Sequence, residues 1–128
     1  MKKLVFLLLA VMLLTACGQN KEKEQGAVYV NITAEEAKRI MDSEEGYIIL
    51  DVRTQEEYDE GHIPGATQIS HEEIAEKAEE VLPDKNQLIL VYCRSGRRSK
   101  IAAEVLVELG YTNIKEFGGI IDWPYETE

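Results

Sequence analysis

The residues with the strongest chemical signature are Cys93 and the five that follow it, Arg94-Ser95-Gly96-Arg97-Arg98. Three arginines and a glycine crowd one thiol. Cysteine reacts as the thiolate, which nearby cations and helix N-termini favour. The apolar run Leu88-Ile89-Leu90-Val91-Tyr92 leads into Cys93, and a helical pattern begins at Ser99. A strand, a tight cationic turn and a helix N-terminus therefore converge on Cys93. That combination fits a nucleophile in a cradle for an anion or a sulfur atom. In a short strand-to-helix turn, successive backbone N–H groups can point inward and form an anion-binding nest. The following helix adds about half a positive charge. Gly96 supplies a backbone conformation closed to most residues. A cysteine that merely packs at a strand end is the alternative, and the flanking Arg94, Gly96 and Arg98 weigh against it.

The elements around this turn must hold it in place. Tyr47-Ile48-Ile49-Leu50 and Leu88 to Tyr92 are near-continuous apolar runs, the pattern of strands buried on both faces of a parallel sheet. Ser99 to Leu109 reads as a helix with Ile101, Ala102, Val105, Leu106 and Leu109 on one face and Gly110 just past its end. Tyr29 to Ile32 is β-prone, Thr67 to Ile69 reads as a short strand, and Tyr111 to Phe117 contains a last strand. Capping boxes are expected at Thr33-Ala34-Glu35-Glu36 and at Ser70-His71-Glu72-Glu73, the second opening a helix that Pro83 stops. Glu56, Glu57 and Tyr58 fall on one or two helical turns, and Gly61-His62-Ile63-Pro64-Gly65-Ala66 has turn chemistry throughout. Strands alternating with helices predict an α/β fold with a largely parallel sheet. Ligands in such sheets sit beyond the carboxyl ends of strands, where Cys93 lies.

The 128-residue length suits one domain, and the formal charge is −10. Met1-Lys2-Lys3 and the 11-residue apolar run Leu4 to Leu14 have the form of a signal segment. Leu14-Thr15-Ala16-Cys17 resembles the bacterial lipobox, in which the cysteine is lipidated and becomes the N-terminus. Residues 1–16 are then a lipoprotein signal peptide, 17–26 a lipidated cysteine with a polar tether, and 27–128 the folded domain. Without Lys2 and Lys3, 12 of the 14 basic residues remain against all 24 acidic, a net −12. A surface that acidic repels nucleic acid and makes the arginines around Cys93 stand out. The expected setting is extracytoplasmic, held to a bacterial membrane by N-terminal lipid. With Cys17 so occupied, Cys93 is the only free thiol of the chain. No metal site is expected from two histidines and one free cysteine without ligand spacing, and no cofactor is called for.

Taken together, the chain resembles a single-domain rhodanese, a thiosulfate sulfurtransferase-like domain. The resemblance rests on Asp51-Val52-Arg53 with Glu57-Tyr58, Gly61 to Ala66, Cys93 to Ser99, Gly110 to Ile114, Gly118-Gly119 and Trp123, in family order. It covers roughly Val28 to Trp123. It implies a five-stranded, mainly parallel sheet with helices on both faces. It also implies ping-pong sulfur transfer through a Cys93 persulfide. The sulfur would come from a small anionic donor such as thiosulfate and pass to a thiol, cyanide or a protein thiol. The loop Cys93 to Arg98 would hold the persulfide through backbone N–H groups of Ser95, Gly96 and their neighbours. Arg94 and Arg97 would steer the donor, and Arg98 would brace the loop or contact the anion. Cysteine phosphatases that share this fold close the loop as C-x5-R with a preceding His. Here Tyr92 precedes Cys93, and Arg98 gives C-x4-R, a shorter loop that suits a sulfur atom better than a tetrahedral phosphate.

The remaining polar residues have structural readings. Asp51 is expected to tie down loop backbone and Arg53 to pair with Glu57; the alternative is that both touch substrate. His62 is structural between Gly61 and Pro64, His71 is a solvated surface residue, and Trp123 closes the C-terminal end by packing. Glu72 to Glu80 are a solvated face. The leading function is a membrane-anchored sulfurtransferase. The alternative is a thiol or persulfide carrier, or redox partner, for another extracytoplasmic protein. A non-catalytic binding module and a cysteine phosphatase rank below both.

Overall fold

A computed structural model describes residues 28–128. The expected signal segment, Cys17 and the tether lie outside the described residues. Five parallel strands form one sheet in the order β1-β5-β4-β2-β3. They are β1 (Val30–Asn31), β2 (Ile48–Asp51), β3 (Thr67–Gln68), β4 (Ile89–Cys93) and β5 (Ile114–Gly119). The α-helices are α1 (Ala34–Ser43), α2 (Gln55–Glu60), α3 (Ile74–Val81) and α4 (Arg97–Glu108). The α/β class, the strand count and the parallel sheet agree with the expectation from sequence.

β2 and β4 are central because their sequences can be buried on both sides. Successive side chains point to opposite faces. Leu50, Ile89, Val91 and Cys93 join α3 and α4 in one core, with Ile74, Ala78, Ala102, Ala103 and Leu106. Ile49, Leu90 and Tyr92 join Ala37 of α1, Phe117 and Trp123 in the other. Each fully buried Leu or Ile contributes about 2 kcal/mol through the apolar surface it removes from water. Trp123 packs between Phe117 and Tyr125, as a closing residue should.

The helix ends show where local chemistry decided and where it did not. Thr33 caps α1 in a complete capping box with Glu36, as expected, an arrangement worth about 1 kcal/mol. Ser70 makes no side-chain cap, contrary to expectation. Residues His71–Glu73 form a 3₁₀ turn closed by Glu73 N–H donating to the Ser70 carbonyl at 2.8 Å. The backbone bond thus takes the N–H that the Ser70 hydroxyl would have capped. A second capping box does exist at Thr54 and Glu57, opening α2. α4 ends in a Schellman turn, with Tyr111 N–H on Leu106 O at 3.0 Å and Gly110 N–H on Val107 O at 3.0 Å. Gly110 has φ +99° there.

α4 differs from the expected helix in two ways. It begins at Arg97 rather than Ser99, so Arg97 and Arg98 are its first turn and not loop. Its buried stripe is Ser99, Ala102, Ala103 and Leu106. This is the i, i+3, i+4, i+7 template with a serine in its first place. Ile101 lies off that stripe and is 37% exposed. The stripe therefore carries the Ser99 hydroxyl inward, toward the end of β4.

Candidate active site

Cys93 is the last residue of β4 and is 1% exposed. Among the described residues it is the only cysteine. The chain turns through Arg94 and Ser95 to Gly96, which starts α4 with φ +111° and ψ −17°. Only a residue without Cβ takes that conformation at little cost. It aims the Gly96 N–H at Cys93 Sγ, 2.9 Å away. Ser99 Oγ lies 3.4 Å from the same sulfur on the other side. The sulfur thus sits at the positive end of a 12-residue helix with a backbone donor on it.

Gly119 of β5 lies flat against this turn. A Cβ at Gly119 would fall 2.5 Å from Ser95 Cα and closer still to the Arg94 carbonyl. Its backbone is ordinary extended chain, so glycine is needed here for space and not for conformation. Just beyond it, Ile121 N–H donates to Arg94 O at 3.2 Å. The loop is held from below by β5 and from the side by the C-terminal turn.

The arginines divide into two kinds. Arg94 and Arg97 are exposed and form no ion pair among the described residues. Arg98 is committed: its two terminal nitrogens donate to the two carboxyl oxygens of Glu57, both at 2.9 Å. This corrects the expected Arg53–Glu57 pair. Arg98 braces α4 against α2 across 41 residues of sequence. Its hydrogen bonds, followed by those from Thr54, hold the Glu57 carboxyl well below 4.5, at about 2. Glu57 first, and more weakly a Cys93 thiolate, keep Arg98 protonated.

A depressed carboxyl stabilises the fold above its unfolded pKa and loses that contribution as pH falls through the folded one. Wild type should therefore lose about 1 kcal/mol between pH 4.5 and about 2 from this pair. Glu57→Gln should lack that part of the acid transition. Denaturant unfolding of both proteins across this window checks it, and equal losses would contradict the assignment.

Arg53 instead turns back on Asp51. Its Nε and one terminal nitrogen donate to the Asp51 carboxyl at 2.9 and 2.7 Å, and its backbone N–H adds a third bond at 3.0 Å. Asp51 is wholly buried and Arg53 is 5% exposed. Tyr92, the neighbour of Cys93, donates its hydroxyl to Asp51 at 2.5 Å and accepts from Ile63 N–H at 3.1 Å. Burial, then this bond to Asp51, pushes the Tyr92 hydroxyl above its ordinary range, so it stays a donor. Arg53 also donates to Gly61 O at 2.7 Å. The Asp51–Arg53–Tyr92 cluster thereby pins the Gly61–Ile63 turn to the ends of β2 and β4. Asp51 does tie down loop backbone, as expected, and Arg53 is its partner.

His62 stacks flat on Tyr58, with ring centroids 3.8 Å apart. Its Nδ1 lies 2.9 Å from Tyr58 O, which fits a structural residue. The sequence reading missed Glu116. This β5 residue is 1% exposed, and its carboxyl accepts from Ser99 Oγ, the hydroxyl that touches Cys93 Sγ. The signal was its parity: Glu116 is two residues from Ile114 and shares that residue's inward face.

Comparison with known proteins bears on this arrangement. The rhodanese-like domain family model matches residues 33–124. The thiosulfate sulfurtransferase PspE of Escherichia coli (strain K12) is 42% identical over 73 residues, 57% of this chain and 70% of its own length. The putative sulfur carrier protein YrkF of Bacillus subtilis (strain 168) is 37% identical over 112 residues, 87% of this chain. The match spans 60% of YrkF, so the chain is similar to only part of that relative. Among solved structures, a rhodanese with anions from E. coli superposes with a TM-score of 0.60 at 38% identity. It covers 64% of this chain and 96% of that one.

Proposed function

The chain belongs to the rhodanese-like domain family, and on that premise we propose that it moves a sulfane sulfur through a persulfide on Cys93. The donor is a small sulfur anion such as thiosulfate, and the acceptor is a thiol, cyanide or a protein thiol. The observation that carries the reading is the Gly96 N–H on Cys93 Sγ, at the N-terminus of α4. That donor and the helix end stabilise negative charge on sulfur, which both half-reactions need.

In the first half-reaction the Cys93 thiolate attacks the outer sulfur of thiosulfate. The new S–S bond forms as the donor's S–S bond breaks, and its electron pair leaves with sulfite. In the second, an acceptor thiolate attacks the outer sulfur of the persulfide, and the electron pair returns to Cys93. Arg94 and Arg97, exposed beside the loop, attract the dianionic donor. With Cys17 lipidated, as proposed below, the acceptor thiol belongs to another molecule.

Sulfite release during turnover with thiosulfate and excess thiol tests the reading. Wild type should release sulfite continuously, and Cys93→Ser should release none above background. Cys93-dependent hydrolysis of phosphate esters without sulfite release would overturn it. The second reading, a persulfide carrier, is supported by the similarity to YrkF. It predicts a single stoichiometric release of sulfite, with further turnover only when a dedicated protein acceptor is present.

We further propose that Cys17 is lipidated and anchors the domain to a bacterial membrane on its extracytoplasmic side. The support is the order of basic start, 11 apolar residues and Leu14-Thr15-Ala16-Cys17. Several acyl chains would anchor firmly, at about 0.8 kcal/mol per buried CH₂. Cys17→Ala should move the protein from the membrane fraction to the soluble fraction in cell fractionation. Retention in the membrane would sink the assignment.

A further inference from the structure

Glu116 has no part in the two half-reactions, yet it is buried and linked to the nucleophile through Ser99. One carboxyl oxygen accepts from Ser99 Oγ and from Gly118 N–H, the latter at 3.0 Å. The other accepts from Asn31 Nδ2 at 2.7 Å and lies 3.6 Å from Lys100 Nζ. Every neighbour of the carboxyl is a donor. The Ser99 hydroxyl has one proton to give. Gly96 O at 3.1 Å and Gly118 O at 3.4 Å are within reach, but the Glu116 oxygen is nearest and is the strongest acceptor. The Ser99 proton therefore points away from Cys93.

What Ser99 turns toward Sγ is a lone pair, 3.4 Å away. A lone pair accepts from a neutral thiol and sits comfortably beside the neutral inner sulfur of a persulfide. It repels a thiolate centred on Sγ. We propose that Glu116, acting through Ser99, is a positioning residue that biases Cys93 toward its sulfur-loaded form. This rests on the sulfur-transfer reading above. On loading, the Sγ–S bond forms, sulfite departs with the electron pair, and the negative charge moves from Sγ to the outer sulfur. The repulsion by Ser99 is relieved in that step. Gly96 N–H and Ser99 thus act in opposition, one stabilising charge on Sγ and the other moving it outward.

The test is the equilibrium of the full chain in a fixed mixture of thiosulfate and sulfite, at a pH alkaline enough that unloaded Cys93 is the thiolate, with the loaded fraction read by intact mass. In Glu116→Leu the carboxylate acceptor is gone, so the Ser99 proton is no longer drawn away from Sγ. The loading equilibrium should shift toward the unloaded form by about three- to tenfold. Ser99→Ala removes the lone pair and should shift it in the same direction. The double variant should shift no further than Ser99→Ala, because one residue acts through the other. Glu116→Asp should recover part of the effect. A second readout needs no persulfide: unloaded Cys93 should alkylate with iodoacetamide faster in both single variants at a fixed pH. Thermal midpoints taken alongside identify any variant that fails to fold, and Ser99→Ala with Glu116→Asp then carry the test. Unchanged or increased loading, or shifts that add in the double variant, would overturn the proposal. If wild type takes up no sulfur, the sulfur-transfer reading fails, and the alkylation rates still decide whether Glu116 acts on Cys93 through Ser99.

Discussion

Gly119→Ala is expected to slow sulfur loading by about 10²-fold or more and to destabilise the fold by about 3 kcal/mol, the upper end for overpacking a tight site. The new methyl would land within the Arg94 carbonyl and 2.5 Å from Ser95 Cα. All of these are backbone atoms, so no side-chain rotation can relieve the clash. β5 cannot retreat either, because it is hydrogen-bonded to β1 and β4 and carries Phe117 in the core. The loop must therefore lift. That withdraws the Gly96 N–H from Sγ and breaks the Ile121-to-Arg94 bond. Loss of one such donor slows chemistry on a developing anion by about 10²-fold or more. Gly118→Ala is the control: φ is +89° there, but nothing lies within 4 Å of the added carbon. It should cost about 1–2 kcal/mol of backbone strain and leave the loop seated. Thermal unfolding and the rate of sulfur uptake separate the two variants. A Gly119→Ala protein with wild-type stability and uptake would show that the contact is not a constraint.

Asp51→Ala should be the most destabilising change away from the loop, by about 3–5 kcal/mol. It leaves the Arg53 guanidinium 5% exposed without its counter-charge and takes the acceptor from the Tyr92 hydroxyl. Asp51→Asn keeps an oxygen for one of these donors and should cost less. Tyr92→Phe removes only the hydroxyl and strands Ile63 N–H, a loss of about 1–3 kcal/mol. Urea unfolding of the three variants should rank them in that order. If Asp51→Ala fell within 1 kcal/mol of wild type, the cluster would be ornamental. Tyr92 immediately precedes Cys93 in β4, so this cluster lies one residue from the nucleophile.

The parts of the molecule legible in the sequence are those fixed by short-range pattern. β2 and β4 were readable because both faces of each are buried, which forces near-continuous apolar runs. The turn after Cys93 was readable because its glycine, its cations and the helical pattern beyond it are adjacent in the chain. Thr33 with Glu36 was readable for the same reason. What escaped was long-range or depended on competition. Glu57 had two arginines to choose from, and Arg98, 41 residues away, took it. Arg53 had a carboxylate two residues back, and the end of β2 brings the two together. Arg97 and Arg98 look like loop residues by charge. They are helical because Gly96 redirects the backbone and because Ser99, Ala102 and Leu106 must face the sheet. Ser70 with Glu73 has a capping-box sequence, but a 3₁₀ turn uses that N–H. Glu116 was overlooked because a charge in a short strand reads as solvated, whereas its parity with Ile114 turns it inward.

The measurement that tests the central claim most directly is the intact mass of the purified chain after incubation with thiosulfate and removal of excess donor. The account predicts a gain of one sulfur atom, localised to Cys93 by peptide mapping, reversed by a small thiol and absent from Cys93→Ser. No gain at Cys93 under these conditions, or a gain that persists in Cys93→Ser, would contradict it.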